Sequence, residues 1–206
     1  MKRRYLGLAL SGAAATLLLG ACSSANPGDA AVVGDVRIPQ SQIAEQLRSL
    51  NEAVGNAPDA PNAELTRTLV SYNVGYELIG QTAAKLQVAV APARLDEVYA
   101  QQVARVGGEE QLAQAAAQQG VAPANLRRDL ETQLLASAIV EKVAPGGDPN
   151  AGQTVLTDAV RELAQSVGVE VAPKYGYWDN EQLQITPDPD PVARPAEEAA
   201  PALPTP

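Results

Sequence analysis

Histidine is absent from the 206 residues. Its absence removes the Ser-His-Asp and Cys-His nucleophile systems and the usual zinc ligand sets. Carboxylates, lysine, tyrosine and hydroxyls are left as the side chains for chemistry. No catalytic residue, metal ligand or cofactor site is read from the sequence. Cysteine occurs once, at Cys22, so one chain can form no internal disulfide. Positive charge is also scarce: 15 Lys and Arg stand against 24 Asp and Glu, a formal net charge of -9, and Lys2, Arg3 and Arg4 supply part of the basic total. Such an acidic chain lacks the basic surface that nucleic-acid phosphates demand. The apolar run at residues 5–19 is shorter than the about 20 residues a membrane-spanning helix needs.

That run has a different reading. Met1-Lys2-Arg3-Arg4 makes a cationic start, residues 5–19 are uncharged and mostly apolar, and small residues follow, the pattern of an export signal. Leu19-Gly20-Ala21-Cys22 resembles a bacterial lipobox. The resemblance implies a diacylglycerol on the Cys22 thiol, cleavage just before it, and residues 1–21 as a lipoprotein signal peptide. The expected address is the extracytoplasmic, periplasmic face of the cell membrane, or an outer membrane in a diderm. An ordinary secretory signal with an incidental cysteine is the alternative. Residues 22–29, with Pro27 and Gly28, read as a flexible spacer after the lipidated cysteine.

Hydrophobic spacing then predicts a mainly α domain over residues 30–182, a length that suits one domain. Ala30-Ala31-Val32-Val33-Gly34-Asp35-Val36-Arg37-Ile38 reads as a small strand or hairpin. Pro39 or Ser41 opens a helix with Ile43, Leu47, Leu50 and Val54 on one stripe. Asn62 caps the longest helix, which carries Leu65, Leu69, Tyr72, Tyr76, Ile79, Ala83 and Leu86. Pro92 begins a third helix with Leu95, Val98, Tyr99, Val103 and Val106, closed by Gly107-Gly108. Residues 109–119 make a thinly anchored Ala- and Gln-rich helix whose single large apolar contact is Leu112. A fifth helix is expected from Pro123, with Leu126, Leu130, Leu134, Leu135, Ala138, Ile139 and Val143. Residues 144–153 read as a break, and a sixth helix carries Leu156, Ala159, Val160, Leu163 and Val167 before Gly168. Val169-Glu170-Val171 alternates like a strand and leads into an aromatic turn. Residues 183–206, where prolines recur from Pro187 among Asp, Glu and Ala, read as a disordered tail.

The opening Gly34-Asp35-Val36-Arg37-Ile38, the run of helices, the glycine-rich break, the returning helix, and the ending Lys174-Tyr175-Gly176-Tyr177-Trp178-Asp179 together resemble the SurA N-terminal chaperone domain, in the form seen on actinobacterial lipoproteins. The likeness spans about residues 30–179. It implies a bundle of about six helices closed by a small sheet in which the first and last strands lie side by side. It also implies an exported protein that handles unfolded or assembling polypeptides. The departure is informative. SurA-type proteins often carry a parvulin prolyl isomerase domain where this chain has only residues 144–153, too few to make a domain. Parvulin sites also lean on histidines.

The expected activity is therefore that of a lipid-anchored holdase or assembly factor, not an enzyme, binding unfolded or extended segments of exported proteins. A module docking one dedicated envelope partner is the alternative, and a peptidyl-prolyl isomerase is a third. Tyr72, Tyr76 and Tyr99 are candidate peptide contacts, since tyrosine pairs an apolar face with a hydroxyl. Their place on apolar stripes makes core packing the competing expectation. Tyr175 and Tyr177 are candidates for an exposed binding edge, again against a structural role, and Trp178 is expected to cap the core beside the terminal strands. Glu109-Glu110 complements a helix macrodipole more simply than it forms an acid-base pair.

Cys22→Ser is expected to leave the domain folded and to release it almost completely from membranes, because stable anchoring takes two or more acyl chains. Fractionation of cells producing the two forms tests this. A serine variant that still pellets with membranes would mean the lipid is not the sole tether.

Overall fold

Asp29-Ala30-Ala31-Val32-Val33 is short, small and β-branched, and every one of these residues is buried. A strand hidden on both faces has to satisfy its backbone along both edges. In the computed structural model, which describes residues 27–187 apart from 147, β1 (Asp29–Val33) does so by pairing antiparallel on both sides. One partner is β2 (Val36–Pro39), in the register Val32↔Arg37, and the other is β3 (Val169–Val171), in the register Val32↔Glu170. The sheet order is β2-β1-β3. Gly34 turns the chain between β1 and β2 at φ +59, and its N–H donates to the Gly168 carbonyl at 3.0 Å, which ties the hairpin to the far end of the chain.

The rest is helical. Six α-helices lie among the described residues: α1 (Gln40–Ala53), α2 (Ala63–Lys85), α3 (Pro92–Val106), α4 (Glu109–Gln118), α5 (Leu126–Val143) and α6 (Pro149–Val167). The chain is thus mainly α with a small antiparallel sheet. None of these helices is long and apolar enough to cross a membrane. Asn62 caps α2, its Oδ1 accepting from Leu65 N–H at 2.9 Å. The helix packs against α1, α5, α6 and β1. Being touched from several sides, it buries Val70, Val74 and Leu78 as well as the expected Leu69, Tyr76 and Ala83. Full burial of Leu69, Leu78 or Ile139 contributes about 1.5–3 kcal/mol each. These side chains join Val33, Ile38, Ile43, Leu156, Val160 and Leu163 in one core.

Several expectations are corrected. Asp29 belongs to β1, and Gln40 Nε2 donates to the carbonyls of Pro27 and Asp29 at 3.0 Å, so the spacer ends before residue 29. Val54 caps the C-terminus of α1 and is 44% exposed; Gln46 and Asn51 take buried places on that helix instead. Pro123–Asn125 form a 3-10 turn rather than the start of α5. The break after α5 is shorter than 144–153, because Pro149 suits the first turn and the Asp148 carboxylate accepts from Asn150 N–H at 2.8 Å. Only β1 pairs with β3; β2 lies on the other edge.

The folded body also continues past residue 182. After a 3-10 turn at Pro173–Tyr175, β4 (Tyr177–Asp179) pairs with β5 (Gln184–Thr186), joined by a turn in which the Asp179 carboxylate accepts from Glu181 and Gln182 N–H groups. Ile185 is 5% exposed and belongs to the core. Trp178 sits opposite Ile185 in this second ribbon, half-buried against the core, with its indole N–H donating to Asn180 Oδ1 at 2.8 Å. It flanks the core from a separate ribbon and is not paired within the sheet of β1 and β3. Residues 1–21, Cys22 and 188–206, to which the signal peptide, lipidation site and most of the tail were assigned, lie outside the described residues.

The ribbon depends on Gly176. At φ +116 it occupies backbone space that L side chains rarely adopt, and an added Cβ would stand 2.1 Å from the Thr186 carbonyl oxygen. Gly176→Ala is therefore expected to lower stability by about 3 kcal/mol or more and to detach β5. Urea unfolding followed by the fluorescence of Trp178, the sole tryptophan, reads this directly. An unchanged midpoint would contradict it.

Candidate functional site

A cluster of buried amides ties together α1, α2 and the 3-10 turn that precedes α5. Gln46, Asn73 and Asn125 are 3%, 0% and 8% exposed. Gln46 Nε2 donates to Asn73 Oδ1 at 3.3 Å and to Asn125 Oδ1 at 3.1 Å, and Asn73 Nδ2 donates back to Gln46 Oε1 at 2.7 Å. Gln42 Nε2 adds a further bond to Asn73 Oδ1 at 2.8 Å. Buried amides are tolerated because each is paired, and the pairing is indifferent to pH since every member is neutral.

On this frame α3 and α4 are mounted as an arm outside the main core. The third helix has the expected apolar stripe, yet none of its residues is buried, and α4 buries only Ala117. Leu95, Val98, Tyr99, Val103 and Leu112 are all half-exposed, and Val106 is 37% exposed. Two members of the stripe, Tyr99 and Val106, line a groove of about 250 Å³ between α3, α4 and α5, together with Leu112, Leu126, Asp129 and Leu130 among others. A second recess of about 460 Å³ lies between α2 and β5, lined by Tyr72, Tyr76, Ile79, Leu183 and Ile185 among others.

The candidate tyrosines fall into two sets. Tyr72 and Tyr76 stack at 6.4 Å with an interplanar angle of 20°, and both line the second recess. Tyr76 is otherwise buried, at 7% exposed, so core packing describes most of its surface. Tyr72 reaches toward α4, its hydroxyl donating to the Gln119 carbonyl at 3.5 Å. Tyr99 stands apart on the wall of the first groove, with the Arg127 guanidinium 4.9 Å above its ring. Tyr175 and Tyr177 join neither set. Tyr175 packs against the core beneath Lys174, whose ammonium lies 4.8 Å from the ring centre, and Tyr177 projects at 36% exposed from β4. Glu109 and Glu110 occupy the first turn of α4, where carboxylates complement the helix dipole.

Asp129, which sequence patterning does not single out, links the two recesses. It lines the first groove, and its Oδ1 accepts from the Tyr76 hydroxyl at 3.1 Å while Oδ2 accepts from Gln133 Nε2 at 2.7 Å. An aspartate in the polar rows of an amphipathic helix carries no distinguishing signal until the partner helix places a buried phenol against it. Burial first, and the neighbouring carboxylate second, push the Tyr76 phenol well above its ordinary range. No group of three or more His, Cys, Asp or Glu able to hold a metal occurs among the described residues. The first groove offers apolar contact area, an aromatic edge and one carboxylate, and the second recess adds Glu64 and Arg67 beside its tyrosines. No family model matches this sequence, nor does any curated protein or solved structure.

Tyr76 gives a test of this geometry. A phenol that ionises later in the folded than in the unfolded chain contributes stability that is whole below about pH 10 and declines as pH rises beyond it. Spectrophotometric titration is expected to show one tyrosine that stays protonated after the exposed ones have ionised. Tyr76→Phe should abolish that late phase, flatten the alkaline loss of stability, and cost about 1 kcal/mol at neutral pH. Ionisation of every tyrosine in one ordinary step would contradict the Tyr76–Asp129 contact.

Proposed function

We propose that this protein is a lipid-anchored, extracytoplasmic chaperone-like protein, a holdase or assembly factor of the SurA N-terminal-domain type that lacks a parvulin domain. It holds apolar stretches of exported proteins before they fold or assemble. The observation that carries this reading is the apolar stripe on α3, which the sequence makes continuous and the fold leaves without a single buried residue. Its apolar side chains stay half-exposed, with Val106 37% exposed, and apolar surface left uncovered in this way marks interaction sites. The groove beneath it is smaller than the about 300–1,000 Å³ of a small-molecule site, so it suits one or two side chains of a chain laid across the surface.

Two further features support the same reading. The pairing of β1 with β3, the strand that follows the last helix, is in keeping with a helical body closed by a small sheet of N- and C-terminal strands, although β4 and β5 follow in a ribbon of their own. The lipobox-like Leu19-Gly20-Ala21-Cys22 agrees with an address where newly exported chains emerge. Binding through a shallow apolar groove would be weak, and weak binding releases clients without an energy source.

Aggregation of a denatured test protein, followed by light scattering, examines this function. The full chain at several-fold molar excess is expected to suppress aggregation. Val106→Gln and Leu112→Gln, at the groove, should each lose a large part of that protection, while Val106→Gln changes stability by no more than about 0.5 kcal/mol. Absence of protection by the unaltered chain would dismiss the holdase reading, and a peptide array binding one sequence alone would replace it with a dedicated-partner module.

A further inference from the structure

Asp129 gives the groove a chemical preference. Among the described residues that line it, this is the one charged side chain. Both neighbouring arginines are engaged elsewhere: Arg127 pairs with Asp96 and lies over the Tyr99 ring, and Arg128 pairs with Glu77 and lies 5.3 Å from the centre of the Tyr76 ring. The carboxylate is held by two neutral donors, the Tyr76 hydroxyl and the Gln133 amide. Its negative charge is therefore oriented but not neutralised by an ion pair, and an ionised carboxylate has about four acceptor sites, of which these donors fill two. Half-buried among Leu126, Leu130, Val106 and Leu112, it is screened from water more than a surface charge would be.

We propose that the groove between α3, α4 and α5 selects apolar polypeptide segments that carry a lysine or arginine beside the apolar residues, the cation pairing with Asp129 while its neighbours fill the recess. This rests on reading the groove as a peptide site and adds the class of sequence it takes. Charge complementarity commits the occupant: an anionic side chain would meet an uncompensated like charge, and a neutral one would leave the oriented carboxylate without its best partner. The aliphatic stem of lysine or arginine suits such a place, since it can lie along apolar walls while the head reaches a polar group.

The test uses a fluorescent peptide of leucines around a central lysine, with versions carrying glutamine or glutamate there, titrated into the full chain by anisotropy. The lysine peptide is expected to bind roughly tenfold more tightly than the glutamine peptide, with glutamate weakest. High salt should shrink the lysine advantage and leave the glutamine peptide little changed. In Asp129→Asn, checked for folding by circular dichroism, the lysine preference disappears; should that variant not fold, the salt series on the unaltered protein decides. Equal binding of lysine and glutamine peptides overturns the charge preference while leaving the peptide site standing. No binding by any of the three removes both readings. Deletion of residues 188–206 that tightens binding of all three alike would assign the groove to the chain's own tail, and self-association that the peptides compete away would assign it to a second copy. Either of those results overturns the proposal.

Discussion

The burial of β1 is the constraint on which the rest of the structure depends. Five small or β-branched residues cannot be hidden on both faces unless both edges are paired and both faces are covered. One edge is supplied locally, by the turn at Gly34 that brings back β2. The other comes from β3, which the chain reaches only after all six helices, and the bond from Gly34 N–H to the Gly168 carbonyl couples the two ends at the point of closure. The sheet is therefore incomplete until α6 is in place against α2 and α5. Pairing so distant in sequence is slow to form but makes the body a single cooperative unit.

The same closure explains where the apolar surface is left over. Helices α1, α2, α5 and α6 and strand β1 supply most of the core, and the buried amides of Gln46, Asn73 and Asn125 tie α1 to α2 and to the turn before α5. The arm of α3 and α4 is added outside that closed body, touching α5 and α1 from the side. That division, a closed core bearing a lightly packed arm, is the feature on which the proposed holdase function rests.

Much of the helical layout was legible in the residues because it depends on local signals. Asn62 as a cap, Pro92 in a first turn, Gly107 after a last one and the i, i+4 repeats of Leu and Val all act within a few positions. The β4–β5 ribbon was not legible. Gln184-Ile185-Thr186 is too short to show alternation and stands beside a proline-rich run, so its one apolar residue reads as part of a tail. Its place is decided by Ser71, across the fold, whose Oγ accepts from Ile185 N–H, and by Trp178 on the facing strand of the ribbon. Tyr99 and Leu112 were visible as apolar contacts, but whether they face a core or a groove depends on how far α3 and α4 stand from α5.

The sequence by itself determined the helices, the hairpin around Gly34-Asp35, the acidity and the absence of histidine chemistry, since each follows from residues near one another or from composition alone. Only the tertiary structure decided that β3 rather than β2 completes the far edge of β1, that the α3 stripe stays half-covered, and that Asp129, on the wall of a groove otherwise lined by uncharged side chains, meets the hydroxyl of Tyr76 from the neighbouring recess. These depend on the distance between helices and on which surfaces run out of partners, quantities set by the packing of the whole body and carried by no single stretch of chain.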